Sequence, residues 1–140
     1  MEGGGSHLLV RGEVNGHPAN FIIDTGASRT VVDKNHLEEL GLHADIIPNE
    51  VLSAGLGTNS MESSTIVLKK ISLGKFTLRK LEIAVLDLSH FNEAYAQLDL
   101  PVIHGVLGGD ILMKYRAVIH YPLKSIKMVK SLSKKIIKPN

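Results

Sequence analysis

A chain of 140 residues, 44% of them hydrophobic and with a formal charge of +2, is most simply one domain with a real core. The absence of cysteine removes disulfide frameworks, thiolate nucleophiles and cysteine-based metal sites, and 4% aromatic content without tryptophan leaves a core of Leu, Ile and Val suited to half-buried strands. No apolar run is long enough to cross a bilayer and residues 1–6 lack the basic and apolar regions of a signal peptide, so the chain as given reads as soluble, its compartment undecided and a membrane anchor possible only in a segment outside it.

The Gly-rich start at residues 1–6 is set aside as a flexible tail or a tag remnant. Residues 8–14 and 19–23 then alternate as strands around Asn15-Gly16, the dipeptide a tight hairpin turn prefers. After a short β-branched piece at residues 30–32, Asp33 is placed to cap a helical turn through residues 34–40, ended by Gly41, with Leu37 and Leu40 on one face. Residues 46–52 and 64–71 read as strands flanking the small, flexible stretch 53–60, a mobile hairpin. Residues 76–86 continue as strand with Leu78, Ile83 and Val85 buried, and the spacing of Phe91, Ala94, Tyr95 and Leu98 predicts one short surface helix. A strand at residues 102–107, interrupted by His104 and Gly105, leads into a helical piece at residues 111–114, and a last hairpin turns around Pro122-Leu123.

One segment carries specific chemistry. Phe21-Ile22-Ile23-Asp24-Thr25-Gly26-Ala27-Ser28 is an apolar strand that delivers a carboxylate onto a tight loop, and it occurs once. About thirty residues later comes the glycine-containing hairpin, and later still Gly105-Val106-Leu107-Gly108-Gly109-Asp110-Ile111-Leu112 opens the last helix. In this order, over residues 8–130, the chain resembles the retropepsin-like aspartic proteases, and most of all their bacterial members. The resemblance implies an all-β fold, a closed antiparallel β-barrel with one to three short helices, occupying residues 7–130 and forming a two-fold homodimer, with residues 131–140 as a basic tail. A chain with a single Asp-Thr-Gly is an enzyme of this kind only if two copies meet at the loop.

The resemblance assigns Asp24 as the catalytic aspartate of an endopeptidase that acts on peptides or proteins without a cofactor. Thr25 is expected to lock the two loops across the dimer axis, Gly26 to let backbone amides approach the carboxylates, and Ala27 to withhold the hydroxyl that pepsin-like enzymes place there. That absence predicts a weaker acid shift and a pH optimum nearer neutral than pepsin's. Ser28 stands where retroviral enzymes carry a second aspartate, so substrate registration differs. Asp110 is read as structural, pairing with Ser28 or Arg29, and Leu107 and Gly108 as part of the same support. Ala54, Gly55, Leu56, Gly57 and Thr58 would form a flap that closes over substrate. Ile103, Val106 and Ile111 are expected to give the dyad apolar surroundings.

Other features are less specific. Six lysines among the last seventeen residues carry six positive charges against a total of +2, so the first 123 residues hold −4; without arginine or interleaved aromatics the tail reads as solvated or edge-protecting, and no nucleic-acid partner is expected. The seven histidines show no metal-binding spacing. A second reading stays open: the same fold, inactive or weakly active, serving as a peptide-binding or dimerisation module. The intact Asp-Thr-Gly argues against it.

Overall fold

The computed structural model describes residues 2–4, 7–42, 46–48 and 64–129. Strands β1 (Glu2–Gly4), β2 (His7–Val14), β3 (His17–Ile23), β4 (Val31–Asp33) and β5 (Ile46–Pro48) precede the long pair β6 (Ser64–Leu73) and β7 (Phe76–Leu86). Helix α1 (Ser89–Gln97), strand β8 (Gly105–Leu107), helix α2 (Gly109–Lys114) and the small hairpin β9 (Val118–His120) and β10 (Ser125–Lys127) complete the order.

The sheet runs β1-β2-β3-β8-β4-β7-β6-β5, and a further β2–β6 pairing closes it, so that β2, β3, β8, β4, β7 and β6 form a ring of six strands. Most pairs are antiparallel, and two, β3–β8 and β4–β7, are parallel. Parallel pairing follows from connectivity: β8 enters long after β3 and lies between it and β4. The Asn15-Gly16 turn has both residues at positive φ, 50° and 86°, as a tight hairpin needs. Its Asn15 carbonyl side chain accepts the N–H of Lys70 while its N–H donates to the Lys70 carbonyl, pinning the hairpin to β6. Glu2–Gly4, within the stretch set aside as a tail, pairs antiparallel with His7–Leu9.

Strand alternation sorts the apolar residues into two clusters. Leu8, Val10, Val14, Phe21, Ile23, Ile71, Leu78 and Leu107 fill the barrel with Leu37 and Leu40. The other face of the same strands, Leu9, Ile22, Val31 and Val106, packs with Leu88, Tyr95 and Ile103 beneath α1. Strands covered on both faces read as near-continuous apolar runs, which is why residues 21–23 are Phe-Ile-Ile and not an alternation with polar residues. Asp33 caps the turn as expected, accepting the Asn35 N–H, and Gly41 ends it at φ 68°, but the turn is two short 3-10 pieces. The predicted strand at 102–107 begins only at Gly105, because side chains take the earlier backbone groups. Asn20 Nδ2 donates to the Val102 carbonyl, and Asn92 both donates to the Ile103 carbonyl and accepts its N–H.

No helix among the described residues is long and apolar enough to cross a membrane. The flap residues Ala54 to Thr58, and residues 130–140, lie outside the described residues.

Candidate active site

Asp24 stands one residue past β3, and its N–H donates to the Leu107 carbonyl at 3.0 Å, extending the β3–β8 ladder into the loop. The chain then turns sharply: Ala27 N–H donates to the Asp24 carbonyl at 3.1 Å, and Gly26 N–H donates to Asp24 Oδ1 at 2.9 Å. The carboxylate is held from its own loop, partly exposed, with Thr25, Gly26, Ser28 and Arg29 exposed around it. The hydrogen bond from the Gly26 amide fixes one oxygen of the carboxylate.

The far leg of the loop is bound to the start of α2. Gly109 N–H donates to the Ala27 carbonyl at 2.6 Å. Thr30, fully buried, donates its hydroxyl to Asp110 Oδ1 at 2.7 Å and its N–H to Asp110 Oδ2 at 3.0 Å, while the same hydroxyl accepts the Gly108 N–H at 2.9 Å. Asp110 thus pairs with Thr30, where the sequence suggested Ser28 or Arg29. The two-pronged contact needs a donor pair on one residue, and both of those side chains face solvent. Backbones approach so closely here that a Cβ on Gly108 would lie 2.6 Å from the Arg29 carbonyl oxygen and 2.8 Å from that of Ala27.

Of the apolar residues expected near Asp24, Ile103 and Val106 belong to the outer cluster with Ile22, against which Ala27 packs. Ile111 does not: it lies inside the barrel with Ile23 and Leu107, because the first turn of α2 faces inward. Leu107 contributes a fully buried side chain and the carbonyl that holds Asp24.

Two polar contacts near the loop and at the far end of β8, made by Thr30 and Asp33, are not apparent from the sequence. Thr30 gave no signal, since its partner is 80 positions away. The sequence presents Asp33 only as a cap, yet its buried carboxylate also accepts the Leu88 N–H at 3.0 Å, meets His36 Nδ1 at 2.6 Å and accepts from Asn92 at 3.3 Å. Asn35 bridges from Asp33 to Asp87, whose carboxyl is lowered to about 2, chiefly by hydrogen bonds from the Ser89 hydroxyl and N–H.

A six-stranded barrel with one Asp-Thr-Gly loop, braced by a late strand threaded between the loop's two legs, defines a single-lobed, retropepsin-like aspartic protease fold. The family model of aspartyl proteases matches residues 10–111, and the chain belongs to that family. The structure is similar to the retroviral protease-like domain of Ddi1 from Leishmania major, at 12% identity and a TM-score of 0.60, covering 87% of each chain. It is similar to a retropepsin-like aspartic protease from Rickettsia conorii at 19% identity and a TM-score of 0.54, covering 82% of this chain and 77% of that one. The EIAV protease, solved with an inhibitor, matches at 19% identity and a TM-score of 0.55, over 86% of this chain and 98% of that one. No curated protein sequence matches.

Proposed function

We propose that the chain is an aspartic endopeptidase, active as a homodimer in which Asp24 and the partner subunit's Asp24 share a proton and a water. The observation that carries this is the Asp24 loop itself. It presents one partly exposed carboxylate, oriented by Gly26 N–H, at the apex of a loop whose neighbours Thr25 and Gly26 are exposed. One carboxylate makes half of an acid–base pair, and exposure of the loop leaves room for a second copy to supply the other.

Two carboxylates a few ångströms apart cannot both ionise easily, so the pair holds one proton and titrates as a unit. The ionised member takes a proton from the water as it attacks the peptide carbonyl. The protonated member donates to the developing oxyanion and then assists the leaving amine. No covalent intermediate forms. Ala27, half-buried against the cluster of Ile22 and Val106, gives the loop an apolar flank, which favours hydrophobic side chains next to the scissile bond. Residues 54–58 would close over the peptide and exclude water.

The test is cleavage of a mixed peptide library from pH 4 to 8 by wild type and Asp24→Asn, with light scattering on the same samples. Cleavage by a dimer, lost in a variant that still dimerises, supports the proposal. A stable dimer that cleaves nothing at any pH overturns it in favour of a peptide-binding module.

A further inference from the structure

A cluster of titratable groups lies at the opposite end of β8 from Asp24. His104 immediately precedes β8, and its backbone forms the first rung between the strands on either side: its N–H donates to the Asn20 carbonyl at 2.8 Å, and its carbonyl accepts the Asp33 N–H at 2.8 Å. Its side chain repeats the contact with β3, since Nδ1 accepts the Asn20 N–H at 3.0 Å. An imidazole that accepts at Nδ1 and is neutral carries its proton on Nε2. That Nε2 faces Glu39, 3.8 Å from the carboxylate, and the His104 side chain is only 13% exposed.

The other groups converge on the same spot. His36 donates through Nδ1 toward the buried Asp33 carboxylate, and its Nε2 lies 3.7 Å from Glu39. The two imidazole centroids are 5.2 Å apart. The charged or titratable groups facing His104 are thus Asp33 on β4, and His36 and Glu39 on the following 3-10 turns, with Asp87 one step removed through Asn35. Asn20 and Asn92 complete the surround as neutral donors and acceptors. A metal does not suit the cluster: with Nδ1 accepting a backbone N–H, neutral His104 has its proton where a ligand lone pair would be needed.

We infer that His104 is a pH-sensitive positioning residue: neutral, it clamps the entry of β8 to Asn20 and so frames the Asp24 loop; protonated, it opposes an N–H to the Asn20 N–H and loosens that frame. Burial, then the neighbouring His36, holds the imidazole below its ordinary value, with Glu39 and Asp33 acting in the opposite sense. For a base depressed in the folded state, the unfolded chain binds more protons between the folded value and the ordinary one. Stability is therefore full above about 6.5, the ordinary value, and is lost as pH falls below it. The consequence for catalysis rests on the reading of Asp24 above, and the consequence for the fold does not.

The experiment is thermal melting of wild type, His104→Asn and His36→Asn from pH 7.5 to 5, with NMR titration of the histidines and of the Asn20 amide. Asparagine at 104 keeps an acceptor for Asn20 and cannot be protonated. The melting temperature of wild type should fall by about 3 °C or more beyond the fall in His104→Asn. In His36→Asn the transition should move to higher pH, and in wild type the Asn20 amide should shift with the His104 titration. Parallel melting profiles in wild type and His104→Asn overturn the inference. So does a His104 titration that leaves the Asn20 amide unmoved, a readout that needs no variant to fold. None of these readouts requires activity, so an inactive protein leaves them decisive. In an active one, kcat/KM on the acid side should fall less steeply for His104→Asn than for wild type.

Discussion

Replacing Thr30 by valine keeps the shape of a fully buried side chain and removes only its hydroxyl. Two bonds are lost. The 2.7 Å bond to Asp110 is made to a charged acceptor, a class worth about 1.5–3 kcal/mol. The Gly108 N–H, buried against the loop, loses its acceptor at a cost of about 1–3 kcal/mol. The expected destabilisation is about 3–5 kcal/mol, a large share of the roughly 5–15 kcal/mol that holds a domain folded. Asp110→Ala, at an exposed residue that water can reach, should cost about 2–4 kcal/mol, mainly by leaving the buried Thr30 N–H without its acceptor. Because both variants break the same bond, the double variant should cost less than their sum by about 1–3 kcal/mol. Urea unfolding at one fixed protein concentration measures all three, the concentration being fixed because self-association would contribute to apparent stability. A loss under about 1 kcal/mol in Thr30→Val, or strict additivity, would refute the assignment of Thr30 and Asp110 as the brace of the Asp24 loop.

Gly108→Ala should be far more damaging than Gly109→Ala, since the added Cβ would sit 2.6 Å from backbone oxygen in the first and 3.3 Å in the second; comparative melting temperatures check the order. On the proposed mechanism, Ala27→Ser should shift the acid limb of the pH–rate profile to lower pH by placing a hydroxyl donor beside the proposed dyad, and a profile that stays in place counts against the role given to Ala27. Ser89→Ala should return the Asp87 carboxyl from about 2 toward its ordinary 3.8, as read by NMR titration. Because that carboxyl is depressed, its contribution to stability is present above 3.8 and disappears as pH falls toward 2, so the variant should differ from wild type at neutral pH and converge with it in strong acid.

Local chemistry was legible and distant pairing was not. Asn15-Gly16 announces its hairpin because both turn positions need positive φ, which Asn and Gly favour, and Asp33 and Gly41 mark the two ends of their turn for equally local reasons. The Asp24 loop stood out because its tripeptide follows three apolar residues. By contrast, Thr30 looks like any β-branched residue before Val31-Val32, and nothing nearby indicates that it holds Asp110. The same oxygen of Asp33 that caps a turn also binds Leu88, 55 positions on, a role that only the folded chain creates. Ile111 was misplaced because the spacing of a six-residue helix does not tell which of its faces meets the barrel.

The insertion of β8 between β3 and β4 also sets a timetable for synthesis. A nascent chain that has reached Asp33 has both legs of the Asp24 loop but no strand to join them, and their inner edges remain unpaired until residues 105–107 have left the ribosome. Pairings across such sequence distances form slowly, and open strand edges are exposed to wrong partners in the interval. The same order has a protective side. The Leu107 carbonyl that anchors the Asp24 backbone arrives only when nearly the whole barrel has been translated, so an unfinished chain carries the Asp-Thr-Gly sequence without that anchor.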